Sequence, residues 1–114
     1  MEIVNKPWGH EKIWAKTEKY VGKILTIDAG HRLSLQYHEF KEETVMVLTG
    51  ILRIWTSDND RDFFDLSQGE VYHVKPGDVH RFGSTQFSSV SIIEVSTPEL
   101  KDVIRIKDDY DRDA

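Results

Sequence analysis

The stretch Gly30-His31-Arg32-Leu33-Ser34-Leu35-Gln36-Tyr37-His38-Glu39-Phe40-Lys41-Glu42-Glu43-Thr44-Val45-Met46-Val47-Leu48-Thr49-Gly50 decides how this chain is read. From Arg32 to His38 the pattern has period two. Leu33, Leu35 and Tyr37 therefore face one side of a strand, and Ser34, Gln36 and His38 face the other. A short polar connection leads to Thr44-Val45-Met46-Val47-Leu48, a second strand closed by the turn signal Thr49-Gly50. Outward from there, short segments rich in Val, Ile, Thr and aromatics alternate with Gly, Pro, Asp and Asn. They predict strands at 20–28, 32–38, 44–48, 51–57, 63–66, 70–74, 80–82 and 89–96. Ser57-Asp58-Asn59-Asp60-Arg61-Asp62, Ser67-Gln68-Gly69 and Lys75-Pro76-Gly77-Asp78 supply the turns. Helix signals are scarce and no internal repeat appears. Short strands at regular spacing predict an all-β barrel or sandwich.

The chain has 114 residues and a mass of 13.3 kDa, which is one domain spanning 1–114. A composition 39% hydrophobic and 31% charged is that of a folded protein. Lys and Arg number 15 against 20 Asp and Glu, a net charge of −5. No basic tract is present, so nucleic acid is not an expected partner, because phosphate neutralisation supplies most of that affinity. The longest apolar run, Val45-Met46-Val47-Leu48, is far below the roughly 20 residues of a membrane span. The residues before Pro7 contain no basic and then apolar stretch, so the expected location is cytoplasmic. Without cysteine there is no disulfide, no thiolate ligand and no cysteine nucleophile.

The chemistry-bearing residues fall around the opening stretch. Gln36 and His38 share one strand face, and Glu43 follows a short connection later. Pro76-Gly77-Asp78-Val79-His80 places another imidazole just after a tight turn. Two imidazoles, a carboxylate and an amide oxygen make a four-ligand set, Gln36, His38, Glu43 and His80, for a divalent metal. Nitrogen and oxygen without sulfur suit zinc foremost, and also manganese, iron, cobalt or nickel.

The spacing of Gly30, Gln36, His38, Glu43 and Gly50 resembles the first cupin motif, with Gln in place of its first His. Gly77-Asp78-Val79-His80 resembles the core of the second. Lys6-Pro7-Trp8-Gly9, Arg32-Leu33-Ser34-Leu35-Gln36, Ile93-Glu94-Val95 and Arg105-x-x-Asp108-x-Tyr110-x-Arg112 narrow the resemblance to the type II mannose-6-phosphate isomerases. In that family this domain commonly sits behind a mannose-1-phosphate guanylyltransferase domain, for which 114 residues leave no room. The resemblance implies a cupin double-stranded β-helix, or jelly-roll barrel, that interconverts mannose 6-phosphate and fructose 6-phosphate with a divalent metal. It also implies a homodimer paired through sheet edges. Three departures stand out. Lys41-Glu42-Glu43-Thr44-Val45 replaces the usual Arg-x-Glu-His-Trp, Ser96 replaces a Gln, and Asp111 replaces a Gly. A Lys does not reproduce a bidentate Arg, so the departures bear on the sugar. Two other classes compete with the isomerase: a cupin dioxygenase at the same ligands, and a sugar-binding domain without turnover.

Aldose–ketose isomerisation moves a proton between C1 and C2, which needs a base within hydrogen-bond reach. Glu94, in the otherwise apolar Ser91-Ile92-Ile93-Glu94-Val95, then Lys23, then His31 are the candidates. The resemblance carries Lys23 into the sugar-phosphate pocket. Arg105, Arg112, Lys23 and Tyr110 are the candidates for substrate binding, the cations for the phosphate. The acidic segment that holds three of them reads in two ways: a solvated tail, or a flap folded back over a barrel mouth. His10 and His73 read as surface residues. Trp8, Trp14 and Trp55 read as core or interface aromatics.

Overall fold

The computed structural model describes residues 1–112. Its strands are β1 (Glu2–Lys6), β2 (Gly9–Lys16), β3 (Val21–Ile27), β4 (Leu35–Tyr37), β5 (Glu43–Thr49), β6 (Leu52–Trp55), β7 (Phe63–Leu66), β8 (Val71–Val74), β9 (Arg81–Gly83), β10 (Val90–Ser96) and β11 (Ile104–Lys107). Six form one sheet in the order β1-β2-β3-β10-β5-β8. The other five form β7-β6-β9 and β11-β4, which the bridges Arg32↔Gly83 and Gln36↔His80 join edge to edge. All named pairings are antiparallel, and chain neighbours are often not sheet neighbours, as in a jelly roll. No helix long and apolar enough to cross a membrane occurs among the described residues.

Period-two alternation aims Leu25, Ile27, Val45, Val47, Val90 and Ile92 of the six-stranded sheet at Leu52, Ile54 and Phe82 of the opposite layer. Trp8 caps this core from the β1–β2 turn. At about 25 cal/mol per Å² of buried apolar surface, this cluster is the main hydrophobic term of the fold. It fills only part of the sandwich, and the remainder is polar.

Three strands lie outside the predicted set. β1 and β2 form a hairpin, Glu2↔Ile13 to Lys6↔Gly9, that widens the six-stranded sheet. β11 adds to β4 through Ile104↔Tyr37 and Arg105↔Gln36. Beyond it the chain turns back instead of running into solvent. Asp109 accepts from Arg32 Nε at 2.7 Å and from Arg81 Nη2 at 3.0 Å, while the Tyr110 hydroxyl lies 2.7 Å from His31 Nδ1. Asp111 has φ of +55°. The backbone there is left-handed, which accounts for Gly at this position in the resembling family, and Asp is among the side chains that tolerate it.

Candidate metal centre and sugar-phosphate cavity

β4 and the residues flanking it present Ser34, Gln36 and His38 to one cavity; Leu33, expected on the opposite face, lines it too because it lies before β4, outside the regular alternation. His80 arrives from the opposite side of that layer. The turn Lys75–Asp78 closes through Asp78 N–H to Lys75 O at 3.0 Å, and Gly77 takes φ of +87° at the third position. A Pro-Gly pair suits such a turn because Pro fixes φ at the second position and Gly alone accepts positive φ freely at the third. Gly77 N–H then donates to His38 O at 2.7 Å, tying the turn to the strand that holds His38. His80 and Gln36 exchange both backbone hydrogen bonds, at 2.9 and 3.0 Å. Their side chains consequently stand next to each other on one face. Glu43 enters from the first residue of β5.

The ligand atoms of His38, Glu43 and His80 lie within 4.8 Å of one another, and all three residues are buried. Glu43 Oε1 is 3.4 Å from His38 Nε2 and 3.2 Å from His80 Nε2. Two ligands each about 2.1 Å from one metal stand roughly 3.0–3.5 Å apart, so the spacing suits a shared cation. The tautomers agree. His38 Nδ1 bonds the Asp102 carbonyl, and His80 Nδ1 lies 2.9 Å from the Asp78 carbonyl. A carbonyl only accepts, so each Nδ1 carries the proton and each Nε2 offers a lone pair. Both Nε2 atoms are buried without a hydrogen-bond partner, a costly arrangement unless a Lewis acid completes it. The donor set fits a divalent metal, with Gln36 beside it on the same wall.

A row of buried charge runs away from this cluster. Lys41 Nζ lies 3.2 Å from Glu43 Oε2 and 3.4 Å from Glu94 Oε2, and Lys23 Nζ lies 3.3 Å from Glu11 Oε1. Glu94 and Lys23 are direct register partners across β10 and β3. Burial pushes the Glu43 carboxyl up, and the Lys41 ammonium 3.2 Å away pulls it down. Burial and the Glu43 charge push Glu94 up to about 8, against the pull of Lys41 and Lys23. Burial alone would lower the Lys41 ammonium, yet Glu94 and Glu43 raise it.

The cavity holds about 300 Å³. Six cationic side chains line it (Lys6, Lys23, Lys41, Lys101, Arg105, Arg112) against three carboxylates (Glu11, Glu43, Glu94). In a chain of net charge −5 this is a reversal of sign. Exposure rises from the buried imidazoles and Glu43 to half-buried Lys6, Arg105 and Arg112 and exposed Lys101. Arg112 is oriented by Asp108, with Nε–Oδ2 at 2.8 Å and Nη2–Oδ1 at 3.0 Å. Glu94, Lys23, Arg105 and Arg112 thus reach the cavity, as expected. His31 and Tyr110 do not line it: their rings stack and bond each other, which takes His31 out of the set of bases near the metal centre. Of the departures from the family pattern, only Lys41 lines the cavity. Thr44 faces outward to His73, Val45 is core, Ser96 bonds the Thr97 carbonyl, and Asp111 is absent from the lining.

Sequence reasoning missed Lys6, Glu11, Lys101 and Asp102. The last has the widest reach. Its carboxylate accepts backbone N–H groups from Glu39, Phe40 and Lys41 at 3.0, 2.7 and 2.9 Å, and its carbonyl sets the His38 tautomer. Those amides hold its carboxyl below the ordinary value in spite of desolvation. Asp102→Ala frees the loop that carries Lys41 and unsettles the carbonyl behind His38. Metal affinity is expected to fall by about 10- to 100-fold, the usual consequence of losing a partner behind a ligand. Competition with a chromophoric chelator measures it, and unchanged affinity would remove Asp102 from the site.

An all-β double-layered jelly roll with a buried His-Glu-His cluster in its interior is a cupin. The chain belongs to the family described as mannose-6-phosphate isomerase C-terminal, which matches residues 1–108. Among curated relatives, it is 28% identical over 114 residues to the alginate biosynthesis protein AlgA of Pseudomonas aeruginosa, covering 97% of this chain and 23% of that protein. It is 30% identical over 112 residues to a mannose-1-phosphate guanylyltransferase of Escherichia coli, covering 96% and 23%. The chain therefore spans about a quarter of the length of these relatives. Among solved structures, KdgF from Halomonas superposes with a TM-score of 0.75 at 17% identity, over 90% of both chains. A cupin-like protein of Thermotoga maritima gives 0.75 at 16% identity, over 87% of this chain and 76% of that one. These likenesses establish the fold.

Proposed function

We propose that this chain is a divalent-metal-dependent aldose–ketose isomerase domain acting on mannose 6-phosphate and fructose 6-phosphate. The observation that carries the reading is that His38 and Glu43 of the His38–Glu43–His80 cluster line the same cavity as an excess of cations in an acidic chain. Gln36, His38, Glu43 and His80 would hold the ion, zinc foremost. When bound, such an ion supplies Lewis-acid polarisation of the sugar oxygens. With one carboxylate and three neutral donors, the site keeps about one net positive charge.

The remaining chemistry belongs to side chains. Glu94, beside the cluster and against the Lys41 ammonium, is placed to take the proton from C2 and return it to C1, while the hydroxyl proton passes from O2 to O1 so that the aldehyde becomes an alcohol and the C2 alcohol a ketone. Lys23, opposite Glu94, is pinned by Glu11 and serves as the adjacent cation. Arg105, Arg112, Lys6 and Lys101 take the phosphate, and buried Leu25, Leu33 and Phe82 of the lining exclude water from the sugar. A cavity of about 300 Å³ accommodates one hexose phosphate and little more.

The test is a coupled isomerase assay together with direct binding of mannose 6-phosphate. Replacing Arg105 or Arg112 by Ala is expected to weaken mannose 6-phosphate by roughly 1.5–3 kcal/mol, the worth of a hydrogen bond to a charged group. That is about a tenfold loss or more. Metal content should not change, and mannose without phosphate should be indifferent. Binding at full affinity to the double variant would remove these arginines from the phosphate site. Tight binding with no interconversion by the metal-loaded parent would overturn the isomerase reading in favour of a sugar-binding domain.

A further inference from the structure

Arg112 lines the cavity from beyond the end of β11, where no strand pairing holds it. Among the described residues, every hydrogen bond of its side chain goes to Asp108, and its guanidinium lies 5.6 Å from the centre of the Tyr110 ring. Both neighbours belong to the same segment, 107–112, so neither ties Arg112 to the barrel. Its place over the cavity is set by whatever holds that segment down. Arg105 differs, because it lies inside β11 and its register opposite Gln36 of β4 fixes it.

The holds gather on Asp109. Its carboxylate accepts from Arg32 Nε at 2.7 Å and Nη2 at 3.1 Å, a two-pronged pair, and from Arg81 Nη2 at 3.0 Å. Both guanidiniums are themselves fixed. Arg81 is buried, and its Nε donates to the Leu33 carbonyl at 2.8 Å. Arg32 lies over the Trp55 ring, and its Nη1 donates to Asp60 at 3.1 Å. Gly83 permits that approach: a Cβ there would stand 2.8 Å from both Arg32 Cβ and the Trp55 ring. Arg32 foremost, with Arg81, holds the Asp109 carboxyl below its ordinary value, so the charge that both cations need is present. One residue on, Tyr110 packs against the core, and its hydroxyl lies 2.7 Å from His31 Nδ1. The pair Lys107–Asp58, at 2.9 Å, is exposed on both sides and adds little.

We propose that Asp109 is a positioning residue for substrate phosphate, clasping the segment to Arg32 and Arg81 so that Arg112 faces the cavity, with Tyr110 on His31 as a second hold. The inference rests on the reading of Arg112 as a phosphate ligand. Arg81 opens β9 directly after His80, so the clasp sets the distance from the metal centre to Arg112. A substrate with its reacting carbons at one end and its phosphate at the other requires that distance to be constant.

The experiment measures isomerisation and direct binding of mannose 6-phosphate by the metal-loaded whole chain carrying Asp109→Ala, alone and combined with Arg112→Ala or Arg105→Ala. Asp109→Ala alone is expected to raise KM and weaken binding by about tenfold, the loss given for Arg112 itself. Its kcat should stay within about twofold, because a grip on phosphate is made equally in ground and transition states. Residues that act through one another do not add, so Asp109→Ala should cost Arg112→Ala less than about a further twofold. Combined with Arg105→Ala, the two losses should multiply to about 100-fold. Metal affinity and the weak binding of mannose should not change. Tyr110→Phe keeps the ring and loses only the hydroxyl; it should show the same pattern at about threefold, and it serves if Asp109→Ala folds poorly. Asp65→Ala, which breaks an equivalent two-pronged pair with Arg53 away from the cavity, should match the parent. Amide exchange at 108–112 reads the hold without sugar and should quicken in Asp109→Ala. Losses that multiply in the Asp109/Arg112 double variant, or a fall in metal affinity in Asp109→Ala, would overturn the proposal. Parent-like binding by Asp109→Ala beside weakened Arg112→Ala would overturn it too, and leave the phosphate reading intact. Parent-like binding by Arg112→Ala, with quickened exchange in Asp109→Ala, would instead place the fault in the phosphate reading and leave Asp109 holding a segment without a substrate role.

Discussion

Alanine at His38 or His80 is expected to yield a folded protein that has lost its metal, with affinity reduced more than about 100-fold. Losing even a partner behind a ligand costs about 10- to 100-fold, and these two are the ligands themselves. Each variant strips one of the two orphaned Nε2 atoms from the cluster. Isomerase activity should fall at least about 1,000-fold, since Lewis-acid stabilisation contributes several kcal/mol to such transition states. His10 and His73 are the controls. The first lies in the outward row of β2, and the second bonds Glu42 Oε2 at 2.7 Å and Thr44 Oγ1 at 2.8 Å. Neither should alter metal content. Stability reports the same site independently. A ligand present at about 1,000 times its dissociation constant adds about 4 kcal/mol to the native state. Chelation should therefore lower the melting temperature of the parent by more than about 10 °C for a domain of this size. The His80→Ala protein should melt at one temperature with or without chelator. Equal metal content in all four histidine variants would sink the assignment.

The parts of this architecture that could be read from sequence are those where alternation and burial agree. β3, β5 and β10 were legible because Leu25, Ile27, Val45, Val47, Val90 and Ile92 point at an apolar layer. The metal residues were legible for a local reason: Gln36 and His38 sit two apart on one strand, and a Pro-Gly turn precedes His80. β1, β2 and β11 were not, and the cause is the cavity itself. Its polar lining reverses the usual pattern, so that on β2 Glu11 faces inward to Lys23 while Trp14 faces out over Gly22. β11 likewise turns Arg105 toward the cavity beside Gln36. A strand that aims charge at the interior does not look like a strand under a hydrophobic alternation rule. Asp102 was invisible for a different reason. Its partners lie about sixty residues away and are backbone amides, which leave no signature in side-chain spacing. His31 shows the converse hazard. Its place next to the ligand strand suggested catalysis, yet the returning chain end supplied Tyr110 as a partner.

Lys41→Met is expected to destabilise the metal-free protein by about 3–5 kcal/mol, the cost of removing one member of a buried charge cluster. Lys41 is 4% exposed and its ammonium lies between Glu43 and Glu94, themselves 3% and 4% exposed. Methionine fills the same length without charge and leaves two carboxylates facing each other in the interior. Lys41→Arg keeps the cation and presents a fork that can engage both carboxylates, so it should stay within about 1 kcal/mol of the parent and retain metal. Two dependencies make the comparison specific. Metal loading offsets the Glu43 charge, so the deficit of the Met variant should shrink when the site is filled and reappear on chelation. The pH dependence follows from Glu94, which the fold raises from an ordinary 4.5 to about 8. The native state then binds a proton that the unfolded chain has released, so metal-free stability declines as pH rises between those values. Without Lys41 the carboxyl is held higher still, and the decline, at the same slope of one proton, should extend further into the alkaline range. Urea unfolding at pH 5, 7 and 9, with and without chelator, reads both effects. A Met variant as stable as the parent at every pH would mean that a protonated Glu94 sits beside Glu43 at no cost without Lys41, and Lys41 would then be acting on the sugar alone.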